Sequence, residues 1–443
     1  MKKLLLTGFA LFAMMTQAQT WTTQNSNFPA AGTYPLSFSV VDANTVWAMG
    51  ADGSGGGANV QAYTRTSNGG TTWTGGLINV GNTALLISDI SATSATTAYA
   101  VATNSSGGAG GGVWKTTDGG ATWAKQTVPG FNTSTAFPNV VHFFDANTGY
   151  LMGDPDASGR YEIYNTTNGG ATWTRNPAAN SPAISNEFAY THLKAAAGNV
   201  SWFGTDLGRV MKSNDKGVTW TISSTPIVDF GGVTTPGASG QIALKDANTA
   251  WVMDQDGLIY ATTDAAANWA VVDVTAGTSF TGDIAYVPGT ANTLITAGAS
   301  STSRGSAIST DGGHTWTALT AAAGDTDGIA NLGVFNASAI WGGGFKDAAT
   351  GGGMNKLGPL LATANVNAAK NAVTVYPNPT KGQVNIQSKS TVKSILLVDM
   401  NGRTVKTFEN IKQIDLSGLQ KGVYMLNVTL SDGQKTSTKL IKE

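Results

Sequence analysis

An eight-residue pattern that returns six times constrains this chain more than any other feature. The copies are Thr66-Ser-Asn-Gly-Gly-Thr-Thr-Trp73, Thr116-Thr-Asp-Gly-Gly-Ala-Thr-Trp123, Thr166-Thr-Asn-Gly-Gly-Ala-Thr-Trp173, Ser213-Asn-Asp-Lys-Gly-Val-Thr-Trp220, Thr262-Thr-Asp-Ala-Ala-Ala-Asn-Trp269 and Ser309-Thr-Asp-Gly-Gly-His-Thr-Trp316. Their tryptophans are 50, 50, 47, 49 and 47 residues apart. A fixed period of this size means repeated units that bury a core only against their neighbours. A second marker falls between the boxes: a turn and then an aromatic-led strand, as in Asp42 to Trp47, Asp145 to Tyr150 and Asp246 to Trp251. Weaker versions at Ser91 to Tyr99, Gly198 to Trp202, Gly289 to Leu294 and Asn336 to Trp341 raise the number of units to seven.

Each unit divides into four short strands, for example Asn139 to Phe144, Gly149 to Met152, Tyr161 to Asn165 and Trp173 to Arg175, with turn residues between them. Four-stranded repeats of this length predict an all-β chain built on a seven-bladed β-propeller. Trp21-Thr-Thr resembles the strand after each box, so the first strand is expected to close the last blade and protect the edges of the ring. Within a box, the short polar side chain at the third position (Asn68, Asp118, Asn168, Asp215, Asp264, Asp311) accepts N–H groups of its own turn, and glycine at the fifth supplies a positive φ. The tryptophans (Trp73, Trp123, Trp173, Trp220, Trp269, Trp316) start the outer strands and bury their rings between blades. The fifth copy has Ala265 and Ala266 where others have glycine, which predicts a looser turn. The pattern resembles the Asp-box repeats of sialidase-like propellers, sortilin-type receptors, xyloglucanase-like hydrolases and the Ycf48-like family, where the boxes lie on the face away from the ligand.

Composition narrows the function. Only 12% of the 443 residues are charged. Residues 19–370 carry 14 Lys+Arg against 22 Asp+Glu, a balance of −8, and residues 371–443 carry 10 against 5, a balance of +5. Five arginines spread along an acidic body form no basic stripe for phosphates, which excludes nucleic acid as a partner. The absence of cysteine removes disulfides, thiolate nucleophiles and Cys-ligated metals. Lys2 and Lys3 precede an apolar run from Leu4 to Met15 and the small-residue site Thr16-Gln-Ala18, so residues 1–18 are expected to be a signal peptide cleaved after Ala18. The run is too short for a bilayer, and no later segment is long enough, so no transmembrane segment is expected in the mature chain.

With the boxes on one face, the opposite rim consists of the loops joining second to third strands and one blade to the next, where binding residues usually sit. The richest stretch is Gly153-Asp-Pro-Asp-Ala-Ser-Gly-Arg160 followed by Glu187-Phe-Ala-Tyr-Thr-His192. Asp154, Glu187 and Asp206 are candidate catalytic residues, since a glycosidase needs two carboxyl groups facing across a cleft. Asp156, Arg160, Tyr190, His192, Arg209 and Arg304 are candidate ligand-binding residues, and Tyr34, Phe131, Phe137, Phe230 and Phe280 are candidate stacking surfaces. No cofactor is expected. The Asp-x-Asp pairs Asp154/Asp156, Asp254/Asp256 and Asp325/Asp327 leave calcium open, although the remaining spacing of a defined loop is missing; solvated turn carboxylates are the third reading. Sialidase-like enzymes clamp a substrate carboxylate with three arginines, and the rim holds too few. His142, in an apolar innermost strand, is expected to be a core residue.

From residue 357 a small-residue linker to residue 372 leads into a segment, 373–443, of alternating apolar residues between turns such as Asn401-Gly402 and Asp432-Gly433, which predicts a small Ig-like β-sandwich. Its motifs are Tyr376-Pro377-Asn378-Pro379-Thr-Lys-Gly382, Val398-Asp-Met-Asn-Gly-Arg403 and Asp415-Leu-Ser-Gly-Leu-Gln-Lys-Gly422-Val-Tyr424-Met-Leu426, with a basic end at Lys435, Lys439 and Lys442. Together they resemble the type A C-terminal sorting domain of the Bacteroidetes type IX secretion system. That resemblance implies Sec export to the periplasm and passage through the outer-membrane translocon with its shuttle. It further implies removal of the tail by a sortase-like peptidase, leaving an extracellular or cell-surface protein. Lys421 and the basic end would present positive charge to that machinery, with the Gly422 to Leu430 and last strands as docking elements. The propeller, 19–356, is then expected to bind a glycan or protein, or to degrade a polysaccharide through its rim carboxylates.

Overall fold

The computed structural model describes residues 19–54, 56–104, 110–131, 137–182, 187–234, 238–322, 328–347, 351–360, 373–388, 391–399, 404–409, 411–430 and 435–443, but not the side chains of 345–347, 351–352 and 435–437. The leader 1–18, Asp325, Asp327, linker residues 361–372, Asn401 and Gly402 lie outside the described residues, as does the side chain of Lys435. The chain divides into two compact units at residue 360.

The first unit consists of seven four-stranded antiparallel sheets. Blades 1 to 6 occupy residues 33–77, 86–125, 138–175, 189–224, 240–271 and 283–318, each with its strands in chain order from the innermost outward. Blade 7 takes three strands from 331–357 and its outermost from the N-terminus, with Trp21 opposite Leu357 and Asn25 opposite Gly353. The predicted closure of the ring is therefore observed. Strands predicted in blade 3 are found at Pro138–Phe143, Gly149–Pro155, Tyr161–Thr166 and Thr174–Arg175.

Each box is a closed hydrogen-bond unit. In the second, the Thr116 hydroxyl donates to Asp118 Oδ1 (2.8 Å) and accepts from Gly120 N–H (2.9 Å), while Asp118 accepts the Thr122 N–H (2.9 Å) and hydroxyl (2.6 Å). Asn68 and Asn168 repeat this through an amide that donates to Thr72 and Thr172. Both the fourth and the fifth box positions lie in the left-handed region, as at Gly119 (φ 75°) and Gly120 (φ 90°). The fifth copy departs from the looser turn its alanines predicted. Ala265 and Ala266 hold φ 61° and 62°, and Asp264 still accepts Thr262 Oγ1 (2.8 Å) and Asn268 N–H (3.0 Å). The bond set is kept, and the cost falls on two residues whose Cβ atoms crowd the backbone there.

Neighbouring blades are joined by a repeated latch. A cation on the third strand of one blade lies over the aromatic residue that leads its second strand and donates to a carbonyl in the next blade's box. Arg65 covers Trp47 and bonds Gly119 O (2.8 Å), and Lys115 covers Tyr99 and bonds Gly169 O (2.8 Å). Lys212 and Lys356 do the same with Trp202 and Ala265 O, and with Trp341 and Gly69 O (2.5 Å). The box tryptophans share hydrophobic clusters with these aromatic residues, Trp173 with Tyr99, Trp220 with Tyr150 and Trp316 with Trp251. The latch places four of the scarce cations in contacts with π-faces and carbonyls.

Innermost strands are stitched by side chains. Ser39 Oγ accepts Ala92 N–H (2.7 Å), Ser91 Oγ accepts Phe143 N–H (2.9 Å), and Asp89 and Asp283 accept Val141 N–H (3.0 Å) and Leu332 N–H (2.8 Å) from the next blade. The innermost strand of blade 4, Ala189–Ala197, departs from this order. Ala189 pairs with Thr205 but Lys194 pairs with Phe203, so Tyr190 to Leu193 bulge out of the ladder, with His192 at φ 51°. The bulge carries Lys194 to an ion pair with the fully buried Asp89 of blade 2 and a hydrogen bond to Val141 O (2.6 Å) of blade 3. The central channel that remains, about 850 Å³, is lined by the innermost strands of blades 1, 4, 5, 6 and 7. His142 stands edge-on to Phe144 with ring centres 4.5 Å apart, and burial lowers its pKa to about 3.

The second unit is a two-sheet sandwich. Val373–Tyr376, Gln383–Ser388 and Gln413–Asp415 form one sheet, and Thr404–Glu409, Val392–Asp399, Gly422–Leu430 and Lys435–Lys442 lie in that order in the other. Val384, Ile386, Ile395, Leu397, Leu426, Val428 and Leu440 fill the space between them. Asn378 of the Tyr-Pro-Asn-Pro motif clamps the last strand, donating to Lys439 O (2.7 Å) and accepting Ile441 N–H (2.9 Å). Gly422–Leu430 is paired on both sides, so of the two expected docking strands only the last lies at a sheet edge, and its end is bonded to Thr380, whose N–H donates to Ile441 O (2.8 Å) and whose carbonyl accepts Glu443 N–H (2.9 Å). Lys421 and Lys439 are exposed, whereas Lys442 is buried with its ammonium on Glu443 O (2.6 Å). Tyr376 is exposed, and the Tyr424 hydroxyl bonds Gln420 O (2.9 Å).

Candidate functional site

The boxes bond to the turns between first and second strands, as Gly69 N–H does to Asn44 O (2.9 Å) and Gly312 N–H to Asn292 O (2.9 Å), so both connections share one end of the propeller. The other end is the rim, and most of the sequence-predicted residues lie there.

Five of them come together where blades 3, 4 and 5 meet. Asp154 accepts the Asn139 amide (2.6 Å) and Ala189 N–H (3.3 Å), Asp206 accepts Phe188 N–H (2.8 Å), and the Glu187 carboxylate is held by two guanidinium nitrogens of Arg209. Three consecutive residues, Glu187 to Ala189, are thus fixed by three charged side chains as the chain turns into the innermost strand of blade 4. Tyr190 donates to Asp229 (2.5 Å), which also accepts Thr234 N–H and hydroxyl (both 2.7 Å) and Gly231 N–H (3.1 Å). Asp229, unremarked in the sequence, is the knot of the 225–234 loop.

Glu187, Asp206 and Asp229 are buried. Burial, with the nearby charges of Asp206 and Glu162, raises Asp154 to about 6, and burial with the charge of Glu187 raises Asp206. The buried Tyr161 hydroxyl, which has no hydrogen-bond partner among the described residues, is pushed up by burial and by Glu187, Asp154 and Asp206. Chemically this is a group of carboxylates in which Asp154 changes protonation near pH 6, each bonded to loop backbone or to Arg209.

The other candidates are separate. Asp156 pairs with Arg175 and takes Ser158 N–H (2.8 Å), while Arg160 donates to Ala178 O and Ser181 O (both 2.7 Å), pinning the 3-10 turn Ala178–Asn180. Asp254 accepts Asp256 N–H (3.0 Å) and Leu258 N–H (2.8 Å), an Asx-type turn. Among the described residues no group of three or more His, Asp or Glu is arranged to hold a metal. His192 lies in the channel wall, and Arg304 is exposed on blade 6, away from the cluster.

Sequence reasoning also missed which rim residues face outward. Phe131 and Phe230, offered as stacking surfaces, are both 1% exposed, whereas Leu207, Val228 and Val233 are 51%, 62% and 67% exposed. These three aliphatic residues occupy two loops stitched together by Thr225 N–H to Gly208 O (3.0 Å) and Phe230 N–H to Thr205 O (3.2 Å). Gly208, at φ 63°, admits this approach; a Cβ there would meet Ile227 O at 1.8 Å.

Residues 141–287 match the family described as photosynthesis system II assembly factor YCF48, and residues 374–443 match the secretion system C-terminal sorting domain. No curated protein matches the chain. Among solved structures, YCF48 from Cyanidioschyzon merolae is 17% identical, with 76% of this chain and 99% of that chain covered and a TM-score of 0.53. YCF48 bound to D1 peptide is also 17% identical, with 76% and 96% covered and a TM-score of 0.50. The Niastella koreensis GH74 enzyme is 15% identical, with 95% and 74% covered and a TM-score of 0.46. The sorting domain indicates export to the cell surface or the extracellular space. The chain thus joins a propeller of the Ycf48-like, Asp-box kind to a type IX secretion C-terminal sorting domain.

Proposed function

We propose that this is an exported binding module whose propeller takes a protein partner on the rim of blades 4 and 5. The observation that carries this reading is the exchange of roles on the rim, with the rings of Phe131 and Phe230 buried and Leu207, Val228 and Val233 presented outward on loops held by Asp229 and Asp206. Sugars are usually taken on exposed aromatic faces, whereas exposed aliphatic groups beside polar ones suit a protein surface. The acidic propeller favours a basic partner. That a propeller of the same fold is described as bound to a peptide agrees with this reading. The hydrolase alternative uses Asp154 as acid, and the pairing of Glu187 with Arg209 stands against Glu187 as its nucleophile.

The test compares the wild-type chain with a Leu207→Ser/Val228→Ser/Val233→Ser variant in affinity capture from the producing cell's surface fraction, beside a glycan and polysaccharide screen read for retention and reducing-sugar release. A protein retained by the wild type and lost with the variant supports the reading. Glycan retention indifferent to the variant overturns it, as does sugar release that Asp154→Asn abolishes.

A further inference from the structure

Two aspartates of the innermost strands occupy the same chemical setting, and only one has a cation. In blade 2, Asp89 precedes Ile90, accepts its N–H (2.9 Å), accepts Val141 N–H from the next blade (3.0 Å) and takes the Lys194 ammonium. In blade 6, Asp283 precedes Ile284, accepts its N–H (2.7 Å) and accepts Leu332 N–H from the next blade (2.8 Å). No ion pair to Asp283 is formed by any of the described residues. Asp89 is enclosed beneath Lys194, whereas Asp283 is in the wall of the 850 Å³ channel.

We propose that the channel binds a primary ammonium group with Asp283 as its counter-ion, as Lys194 is bound by Asp89. The ligand is an alkylamine, either free or as the side chain of a lysine. Of the remaining charges on the wall, the Asp246 carboxylate accepts Asn248 N–H and Thr249 N–H of its own turn (both 2.9 Å), and no cation answers Asp283. Lys194 is taken by Asp89, and Lys245 bonds Ala291 O (2.7 Å) with its ammonium 5.9 Å from the centre of the Tyr286 ring. His192 stays neutral near pH 7, because burial and then Lys194 lower it to about 4, and its Nδ1 has no hydrogen-bond partner among the described residues. A carboxylate held by two N–H groups inside a cavity is pre-organised for a cation and gains from one, since desolvation otherwise opposes its charge. Burial accordingly pushes Asp283 up to about 7. A cavity of this size accommodates a small organic ligand.

Isothermal titration calorimetry of the full chain with cadaverine, with an N-acetylated Gly-Gly-Lys-Gly-Gly peptide and with n-pentanol tests this. Saturable binding of either ammonium compound, with none of pentanol, is expected; which of the two binds separates a free amine from a lysyl side chain. Asp283→Asn should weaken that binding about tenfold or more, as loss of a charged hydrogen-bond partner does. Should that variant fail to fold, Asp283→Ser keeps a hydroxyl acceptor for the blade stitch, as Ser39 and Ser91 do, and carries the same expectation. No saturable amine binding, equal binding of pentanol, or binding indifferent to both substitutions would overturn the proposal. The Leu207/Val228/Val233 variant should bind amine as the wild type does, so this site and the rim fail or succeed separately.

Discussion

At the box end, Asp118 accepts an N–H and a hydroxyl from Thr122 and a hydroxyl from Thr116, and these bonds, those of Thr122 foremost, hold its carboxyl at about 2. Asp264 is lowered to about 2 in the same way, first by Asn268. On the rim and in the channel, Asp154 and Asp283 also accept hydrogen bonds, yet burial outweighs them and raises the pair to about 6 and about 7. The same side chain is stabilised as an anion where the turn surrounds it with donors in water. It is pressed toward neutrality where the blades enclose it. Local satisfaction in every box therefore marks scaffold, and buried charge outside the boxes marks the places where the propeller holds a particular geometry or awaits a partner.

The largest effect should come from the enclosed region. Lys194→Met leaves Asp89 buried without its cation and should destabilise the propeller by about 3–5 kcal/mol in denaturant unfolding. Box substitutions should be milder and depend on chemistry. Asp215→Ala, which removes the acceptor for Thr219 N–H and Ser213 Oγ, should cost about 1–2 kcal/mol, whereas Asp215→Asn should stay within about 0.5 kcal/mol, because Asn68 and Asn168 fill the same position. In the fifth box, Ala265→Gly and Ala266→Gly should each stabilise by about 1 kcal/mol by removing a Cβ from the left-handed region; a loss of stability would show that the alanines are not strained.

The smallest effect is in pH dependence, and its sign differs between the two regions. A box carboxyl at about 2 contributes stability that is complete above the ordinary carboxylate range and is lost as pH falls toward 2; Asp118→Asn should remove that acid sensitivity. Asp283, raised to about 7, binds its proton more tightly in the native state. Its contribution is therefore lost as pH rises through about 7, and the stability of the wild type relative to Asp283→Ser should be greater at pH 5 than at pH 8.

The seven blades, the seam closed by Trp21 and the turn chemistry of the boxes were legible because each rests on contacts within a few residues or on the period itself. The left-handed fourth box position was legible only as glycine at four of six copies, with Lys216 and Ala265 masking it. The pair Asp89–Lys194 was not legible: its members are 105 residues apart and meet only because one strand leaves its ladder. Rim candidates lie at the end opposite the boxes, which loop connectivity decides. Which of them point outward was hidden, because the inward turn of Phe230 and the exposure of Val228 and Val233 depend on how two loops pack together. The equivalence of Asp89 and Asp283 left a faint mark, the shared Asp-Ile in a first strand, which acquires meaning only once both carboxylates are seen to bond the next blade.

Carboxyl-carbon NMR titration of the aspartates tests the contrast between the two ends most directly. The account predicts that Asp118 and Asp264 titrate near 2 while Asp154 and Asp283 titrate near 6 and 7. A single population titrating across the ordinary carboxylate range, with Asp154 and Asp283 indistinguishable from the box residues, would contradict it.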